Sequence, residues 1–467
     1  MGGKAVYLKR IWTLLIIFNL FILYFASITP SAGALQENWS EDIRLTFTEN
    51  TSYTPAIAIW ENNVHVVWAE SGEGRDIFLW YINSTDGGNT WNLPIPLVDT
   101  PHVRVGLPKI AVDKNSIHVI WLECNERRIY YIRSVDNGIT WSTEKILADM
   151  VYHLQLSWDI GVSENNVHVV YMDMNRKLSH TKSNDNGLTW TAPEEIVSTD
   201  TRVAKIAIAV IGRRIHIVYD DNKYFPSGYC ENDIFYLKSE DNGLTWGKEL
   251  NITQTPMTSS HFADIGIKND YLYVVYSQEE AKRQVYFSYS EDSGSTWARN
   301  IRLSNSTANI HFPSIAVNEV ANEIGLFVVW TDHRDGSSQI YFKNSSDGGK
   351  TWSSDTRLTY AIPYSSWPDI AADENSVHVV WCDLRDGNDE VYYKRHSISV
   401  PTLKAIIDID PDTLNIKSKG TWITAYIELP EGHDANDIDI SSILLESSIP
   451  AENHPVEIDD YDNDGIL

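Results

Sequence analysis

SNDNGLTW, at Ser183–Trp190, is a Ser-x-Asp-x-Gly-x-Thr-Trp segment, and five near copies of it decide how the chain folds. They are STDGGNTW (Ser84–Trp91), SVDNGITW (Ser134–Trp141), SEDNGLTW (Ser239–Trp246), SEDSGSTW (Ser290–Trp297) and SSDGGKTW (Ser345–Trp352). Their aspartates stand 50, 49, 56, 51 and 55 positions apart, a period that marks a repeat architecture. The chemistry of the segment is that of a tight turn. Asp can accept hydrogen bonds from backbone N–H groups just downstream, Gly tolerates positive φ, and Trp offers a large ring for packing.

Ahead of each turn lies one series of short segments. In the first copy they are Pro55–Ile59, Val64–Trp68 and Ile77–Ile82, rich in β-branched and aromatic residues, which is the grammar of strands. A fourth strand follows each turn, as in WSSDTRLT (Trp352–Thr359). Four short antiparallel strands at this period describe a propeller blade. The three-strand series occurs seven times, the last at Pro368–Ser397 with no turn motif and no fourth strand after it. WSEDIRLT (Trp39–Thr46) matches Trp352–Thr359 almost residue for residue. The N-terminal segment is therefore expected to supply the outer strand of the last blade and close the ring, removing an open sheet edge. The expectation is an all-β chain: a seven-bladed β-propeller of four-stranded blades over 38–400, plus a small β domain over 401–467.

The turns resemble the Asp-box (BNR) repeats of sialidases and other extracellular propellers, over about three quarters of the chain. The resemblance implies that Asp86, Asp136, Asp185, Asp241, Asp292 and Asp347 are structural and lie on the face opposite a binding site. Sialidases hold the substrate carboxylate with three arginines, the first in an F/Y-R-I-P motif, and use a Tyr nucleophile with Glu and an Asp acid/base. Here the first blade opens Tyr53-Thr54-Pro55 without an arginine, and only Arg202 stands at the matching offset in any blade. Arg202, Arg334 and Arg385 are the arginines such an activity would draw on; its catalytic residues are unknown. The sequence thus favours a sialidase-like propeller that binds a glycan or cell-surface protein without catalysis. The alternative is an exo-α-sialidase or other glycoside hydrolase.

The face carrying the loops between second and third strands has a recurring acidic position. Glu70, Glu123, Asp173, Asp221, Asp332 and Asp383 hold it, with Gln278 in the fifth copy. Arg127, Arg176, Arg334 and Arg385 follow closely, and WTDHRDG (Trp330–Gly336) and WCDLRDG (Trp381–Gly387) space Asp and Arg for pairing within one loop. Two readings stand: ion pairs that brace each loop, or a polar rim that orients a ligand through Glu70, Glu123, Asp173, Asp221, Asp332, Arg334, Asp383 and Arg385. His65, His118, His168, His216 and His378 recur inside the second strands, where Tyr273 and Phe327 replace them, so a flat ring is expected to pack there.

The 467 residues carry 37 basic and 64 acidic side chains, a formal charge of −27, which opposes nucleic-acid binding. Cys124, Cys230 and Cys382 are too few for a disulfide framework and read as free thiols. Lys4, Lys9 and Arg10 precede an apolar run from Ile11 to Ile28 and the triplet Ala32-Gly33-Ala34. This is the pattern of a secretory signal peptide over 1–34, with an uncleaved anchor as the competing reading and the only membrane contact expected. A secreted or cell-surface monomer follows, a glycoprotein if the sequons at Asn38, Asn50, Asn83, Asn251, Asn305 and Asn344 are used.

From Pro401 to Leu467 composition shifts to 15 acidic residues against 3 lysines. Ala405–Ile409, Trp422–Leu429 and Ile440–Glu446 read as strands of a partial sandwich, and the stretch resembles a C-terminal module of exported archaeal and bacterial proteins. Asp460, Asp462 and Asp464 have the spacing that begins a calcium loop, but the acid at its twelfth position has no residue to occupy it. The module reads as cut short. No cofactor is expected apart from possible calcium at this acidic loop.

Overall fold

The structure is a computed structural model. It describes residues 3–9, 39–72, 77–98, 105–152, 156–199, 203, 205–221, 232–255, 258–320, 323–398, 406–410, 422–428, 444–445 and 449–459. The chain divides into two compact units, one of Glu37–Glu319 and Ile324–Ile398, the other of Met1–Gln36, Val320–Glu323 and Ser399–Leu467.

The larger unit is the expected seven-bladed propeller. Blade 1 has inner, second, third and outer strands Ser52–Trp60, Asn63–Ser71, Ile77–Ser84 and Ile95–Pro96, hydrogen-bonded in that order. Blades 2 to 6 repeat it, with inner strands Val105–Asp113, Trp158–Ser163, Ile206–Ile211, Ser260–Lys268 and Ile310–Val320. Blade 7 takes Ser365–Ala372, Ser376–Asp383 and Glu390–Ser397 from the end of the unit and Ile43–Arg44 from its beginning. Ile43 pairs with Tyr393 and Arg44 with Tyr392, so the ring closes as the duplicated WSEDIRLT segment predicts.

The blades adhere through apolar side chains between neighbouring sheets. At the closing interface Leu45, Ile57, Val64, Trp68 and Ile82 pack with Val380, Val391 and Tyr393, all nearly inaccessible. The turn tryptophans work at the same interfaces. Trp141, Trp190, Trp246, Trp297 and Trp352 each set an edge against a third-strand ring of the preceding blade: Tyr81, Tyr131, His180, Tyr236 and Phe287. Trp91 does the same to Tyr393 across the closure. Blade 7 lacks the turn motif, and Trp39 from the closing segment takes the vacant role against Phe342, with centroids 4.9 Å apart at 84°. Each such pair is worth about 0.5–1.5 kcal/mol beyond its buried area.

The second-strand histidines are packing residues. Nδ1 of His65, His118, His216 and His378 meets the hydroxyl of Tyr81, Tyr131, Tyr236 and Tyr393 at 2.7–2.8 Å, and His168 meets His180 at 3.0 Å. All five are inaccessible, and burial lowers their pKa to about 3 or 4. They are neutral at physiological pH.

The smaller unit holds a five-stranded sheet ordered Ile406–Asp410, Trp422–Glu428, Gly3–Lys9, Ile449–Asp459 and Leu444–Leu445. Gly3–Lys9, the basic start of the expected signal, runs antiparallel to both neighbours, with Lys4 opposite Ile427 and Ile458. The apolar run Ile11–Ile28, Arg202, Cys230 and the acidic Asp460, Asp462 and Asp464 lie outside the described residues.

Candidate functional site

The two faces of the propeller are built by different rules. Turns between inner and second strands share a face with the six Ser-x-Asp turns: the Gly87 amide donates to the Asn62 carbonyl and the Asn137 amide to the Asn115 carbonyl. Each turn satisfies itself. In the first, Asp86 accepts from the Thr90 amide (2.9 Å), the Thr90 hydroxyl (2.6 Å) and Ser84 Oγ (2.7 Å), and Ser84 Oγ accepts from the Gly88 amide. Those bonds, the Thr90 hydroxyl first, lower the Asp86 pKa to about 2. Asp136, Asp185, Asp241, Asp292 and Asp347 make the same bonds to Thr140, Thr189, Thr245, Thr296 and Thr351.

The opposite face carries the loops from second to third strands and the entrances of the inner strands. Its recurring acids are spent inside their own blades. Asp332, fully buried, accepts from Trp330 Nε1 (3.0 Å), Ser306 Oγ (2.7 Å), and Nε and Nη2 of Arg334 (2.9 and 2.6 Å). Burial works against its charge, but these bonds outweigh it and hold its pKa below the usual range. Asp383 repeats the pattern with Ser365, Trp381 and Arg385. Arg334 continues to Asp355 and Arg385 to Asp42, and their guanidinium groups lie 4.3 and 4.4 Å over Tyr341 and Tyr392. Glu70 receives Ser52 and Trp68, and burial pushes its pKa up. Glu123 caps the Glu126 amide and Asp173 the amides of Asn175 and Lys177, while Asp221 is fully buried. Apart from Asp221, for which burial alone is seen, these residues have the geometry of loop braces distributed round the ring.

Tyrosine–carboxylate pairs also repeat, as Tyr130–Glu126, Tyr286–Glu280, Tyr341–Asp335 and Tyr392–Asp386 on third strands. Recurrence in four blades makes them part of the repeat, and no one of them stands apart as a nucleophile.

The inner-strand entrances are where the repeat becomes irregular. Bulges shift the register between Tyr53 and Ala56, Gly106 and Lys109, His261 and Asp264, and Ser366 and Asp369. Thr54, Leu107, Leu156, Phe262, Phe312 and Trp367, at or beside these entrances, have φ of 53, 27, 62, 56, 53 and 56°. Bulky side chains seldom adopt such angles, at a cost of about 1–3 kcal/mol each, and strain of this kind concentrates at binding sites. Thr54, Leu107, Leu156, Phe312 and Trp367 thereby form a collar round a small axial cavity. Phe312 and Trp367 stack at 3.9 Å and 20°, with Phe262 edge-on to Phe312 at 5.3 Å.

Beneath the collar lies a charged axis that sequence reasoning missed. Lys109, Asp159, Asp264 and Asp369 occupy equivalent innermost positions, opposite Ile120, Val170, Val275 and Val380 of their second strands. Asp159, Asp264 and Asp369 each accept the amide of the next blade, from Ile208, Ile315 and Ile57, at 3.0 Å. Lys205 pairs with Asp264 at 3.4 Å and Lys109 with Asp159 at 4.0 Å. Burial pushes Asp159 and Asp369 up, whereas Lys205 and Lys109 overcome it at Asp264 and hold that carboxyl down. The cavity has a volume of about 60 Å³ and is lined in its depth by Lys109, Lys205, Asp264 and Asp369.

Beside Phe262 and Phe312 runs a polar chain across blades 4 to 6. His261 Nδ1 lies 3.3 Å from the buried Asp220, and its Nε2 3.9 Å from Glu279 Oε1. Arg283 Nη2 reaches the same Glu279 oxygen at 2.7 Å, and its Nη1 donates to His311 Nδ1 at 3.1 Å. The His311 ring stands edge-on to His333 at 5.3 Å. Burial, then Arg283 and His333, lower the His311 pKa to about 4, so its Nδ1 is free to accept. Among the described residues no group of three or more His, Cys, Asp or Glu side chains could hold a metal ion.

No protein-family model and no curated protein matches this chain. Solved structures do. A protein of unknown function from Dyadobacter fermentans is 14% identical, with a TM-score of 0.51 over 78% of this chain and 99% of that one. A polysaccharide lyase of family PL25, an ulvan lyase solved with a -[GlcA(1-4)Rha3S]- ligand, is 12% identical, with a TM-score of 0.56 over 76% and 95%. A mutant Trypanosoma rangeli sialidase displaying trans-sialidase activity is 14% identical, with a TM-score of 0.45 over 78% and 60%. The chain is a seven-bladed β-propeller, and the polysaccharide lyase shares its fold.

Proposed function

We propose that this chain is an exported, sialidase-like propeller that binds a glycan at the collar, on the face opposite the Asp-box turns. The observation that carries the reading is the collar itself: strained, bulky residues from several blades, converging on one axis. A repeat selected only for stability has no need to hold Leu107, Phe312 and Trp367 at positive φ.

Aromatic rings suit the ligand class. The C–H face of a pyranose is weakly positive and stacks on the negative face of an aromatic ring, while flanking polar groups bond its hydroxyls. Phe312, Trp367 and Phe262 offer the rings, and His261, Glu279, Arg283 and His311 the polar groups. The rim residues from Glu70 to Arg385 serve this site as braces that fix the loops around it. Binding without turnover is the activity expected.

A glycan array probed with the purified protein, beside a panel of fluorogenic glycosides, tests this. Binding that disappears in Trp367→Ala, with an unchanged melting temperature and no glycoside cleaved, is the expected result. Turnover that survives repurification would overturn the non-catalytic reading, and binding indifferent to Trp367→Ala would move the site elsewhere.

A further inference from the structure

The axial cavity is polar in a balanced way. Two lysines, Lys109 and Lys205, and two aspartates, Asp264 and Asp369, line its depth, so the charges of the lining cancel. These buried groups are incompletely used. Lys205 stands 3.4 Å from Asp264 and Lys109 4.0 Å from Asp159, and neither ammonium donates a hydrogen bond to a described residue. Each has three N–H donors to place. Among the described residues neither lysine forms an ion pair with Asp369. The Ser314 hydroxyl lies 2.7 Å from Asp264 Oδ2 and 3.2 Å from Asp369 Oδ1, and its single proton serves the nearer oxygen. Asp369 Oδ1 is thereby left without a donor among the described residues, while Oδ2 accepts the Ile57 amide. Thr54 Oγ1, at the collar, has no partner there either.

Spare donors and spare acceptors in one cavity suit a group that is both. A hydroxyl donates and accepts, and it brings no charge to be desolvated. A carboxylate would face Asp264 and Asp369, and an ammonium Lys109 and Lys205, in either case as a buried like-charge contact. From this balance we infer that the axial cavity is a subsite for the hydroxymethyl arm of a neutral hexose whose ring lies on Phe312 and Trp367. The arm's hydroxyl donates to Asp369 and accepts from Lys109. It reaches one bond farther than a ring hydroxyl and rotates about its own bond to the ring, so it enters the cavity while the ring stays on the aromatic pair. Burial pushes the Asp369 pKa up, and a hydroxyl proton relieves that carboxylate. The inference rests on the collar reading and names its substrate class, uncharged sugars that carry a hydroxymethyl group.

Three pairs of methyl glycosides differ only in this arm: β-D-glucoside and β-D-xyloside, β-D-galactoside and α-L-arabinopyranoside, α-D-mannoside and α-D-lyxoside. NMR titration of the purified protein gives the affinity for each, with the three matching uronides as charged counterparts. In at least one pair the hexoside is expected to bind about tenfold or more tighter than both its pentoside and its uronide. Lys109→Met and Asp369→Asn, each checked for folding by its melting temperature, are expected to bring the hexoside down to the pentoside's affinity and to leave the pentoside unchanged. The wild-type comparison decides even where a variant fails to fold. If hexosides bind no better than pentosides or uronides, and all lose binding in Trp367→Ala, the cavity subsite is wrong and the collar reading stands. A preference that persists in both folded variants also overturns the subsite. If no glycoside binds, both readings fall together.

Discussion

The two faces of this propeller answer to different constraints. On one, six Ser-x-Asp turns repeat almost atom for atom, each aspartate accepting the amide and the hydroxyl of the threonine four residues on. On the other, equivalent positions hold Thr54, Leu107, Phe312 and Trp367, which share a strained backbone and no common side chain. Repetition marks what each blade needs in order to fold. Divergence at a fixed backbone position marks what the ring as a whole presents. That contrast orders the experiments.

The largest effect is expected at the axis. Asp264→Ala leaves the buried Lys205 without its carboxylate and the Ile315 amide without its acceptor, a loss of about 3–5 kcal/mol. Chemical denaturation should show it as a lower midpoint. A variant as stable as the parent would mean that the axial charges do not lock the blades.

Next comes the turn face. Gly187 has φ +82°, and a Cβ there would lie 1.7 Å from the Tyr131 hydroxyl, so Gly187→Ala should cost about 2–4 kcal/mol. Its glycan affinity in the folded fraction should match wild type, which separates the faces functionally.

Acid sharpens the comparison further. The five second-strand histidines are buried neutral, with folded pKa values lowered to about 3 or 4 from 6.5. Unfolding lets them take up protons below pH 6.5, so their contribution is complete above that value and declines as pH falls toward 4. Each histidine contributes up to about 1.4 kcal/mol per pH unit. The turn aspartates add a second loss between about pH 4 and 2, since Asp86, Asp136, Asp241 and Asp292 have pKa values lowered to about 2. Thermal melts from pH 8 to pH 3 should fall in this order. A melting temperature flat from pH 7 to 4 would contradict the neutral, buried state.

The smallest effect is expected on the outer edge. Phe47 is 75% exposed under the Arg44 guanidinium, 4.9 Å from its ring centroid, and Phe47→Ala should cost about 0.5–1 kcal/mol with no change in binding. A larger loss of affinity than of stability would extend the binding surface outward to blade 7.

The ring was legible in sequence because its determinants are local and repeated. The eight residues of each turn interact among themselves, and WSEDIRLT announced the closing strand by matching Trp352–Thr359. The Asp–Arg spacing in WTDHRDG and WCDLRDG likewise foretold pairing within one loop. The axis and the collar were not legible. The axial position holds Lys109 in one blade, Asp159, Asp264 and Asp369 in three others and Ala56 or Ala207 elsewhere, so it does not stand out along the chain as the turns do. Bulges before Lys109, Asp264 and Asp369 also break the alternation that would have marked them as inward-facing. Phe312 and Trp367 belong to no motif that sets them apart from the other aromatics, and it is the positive-φ backbone that brings them to the axial cavity. The chain from Asp220 to His333 spans three blades, and only the packing of neighbouring blades brings its members together. One signal was available: the recurring x-Pro-x-Ile-Ala in TPAIA, LPKIA, FPSIA and WPDIA, whose first and third residues vary while the rest holds.

The most direct test of the division between faces is amide hydrogen exchange, with and without a glycan identified on the array. Protection should appear at 261–264, 311–315 and 366–369, where the collar and its bulges lie. The turns at 84–91, 134–141 and 183–190 should exchange at the same rate in both states. Protection confined to the turns would place the ligand on the wrong face and contradict the account.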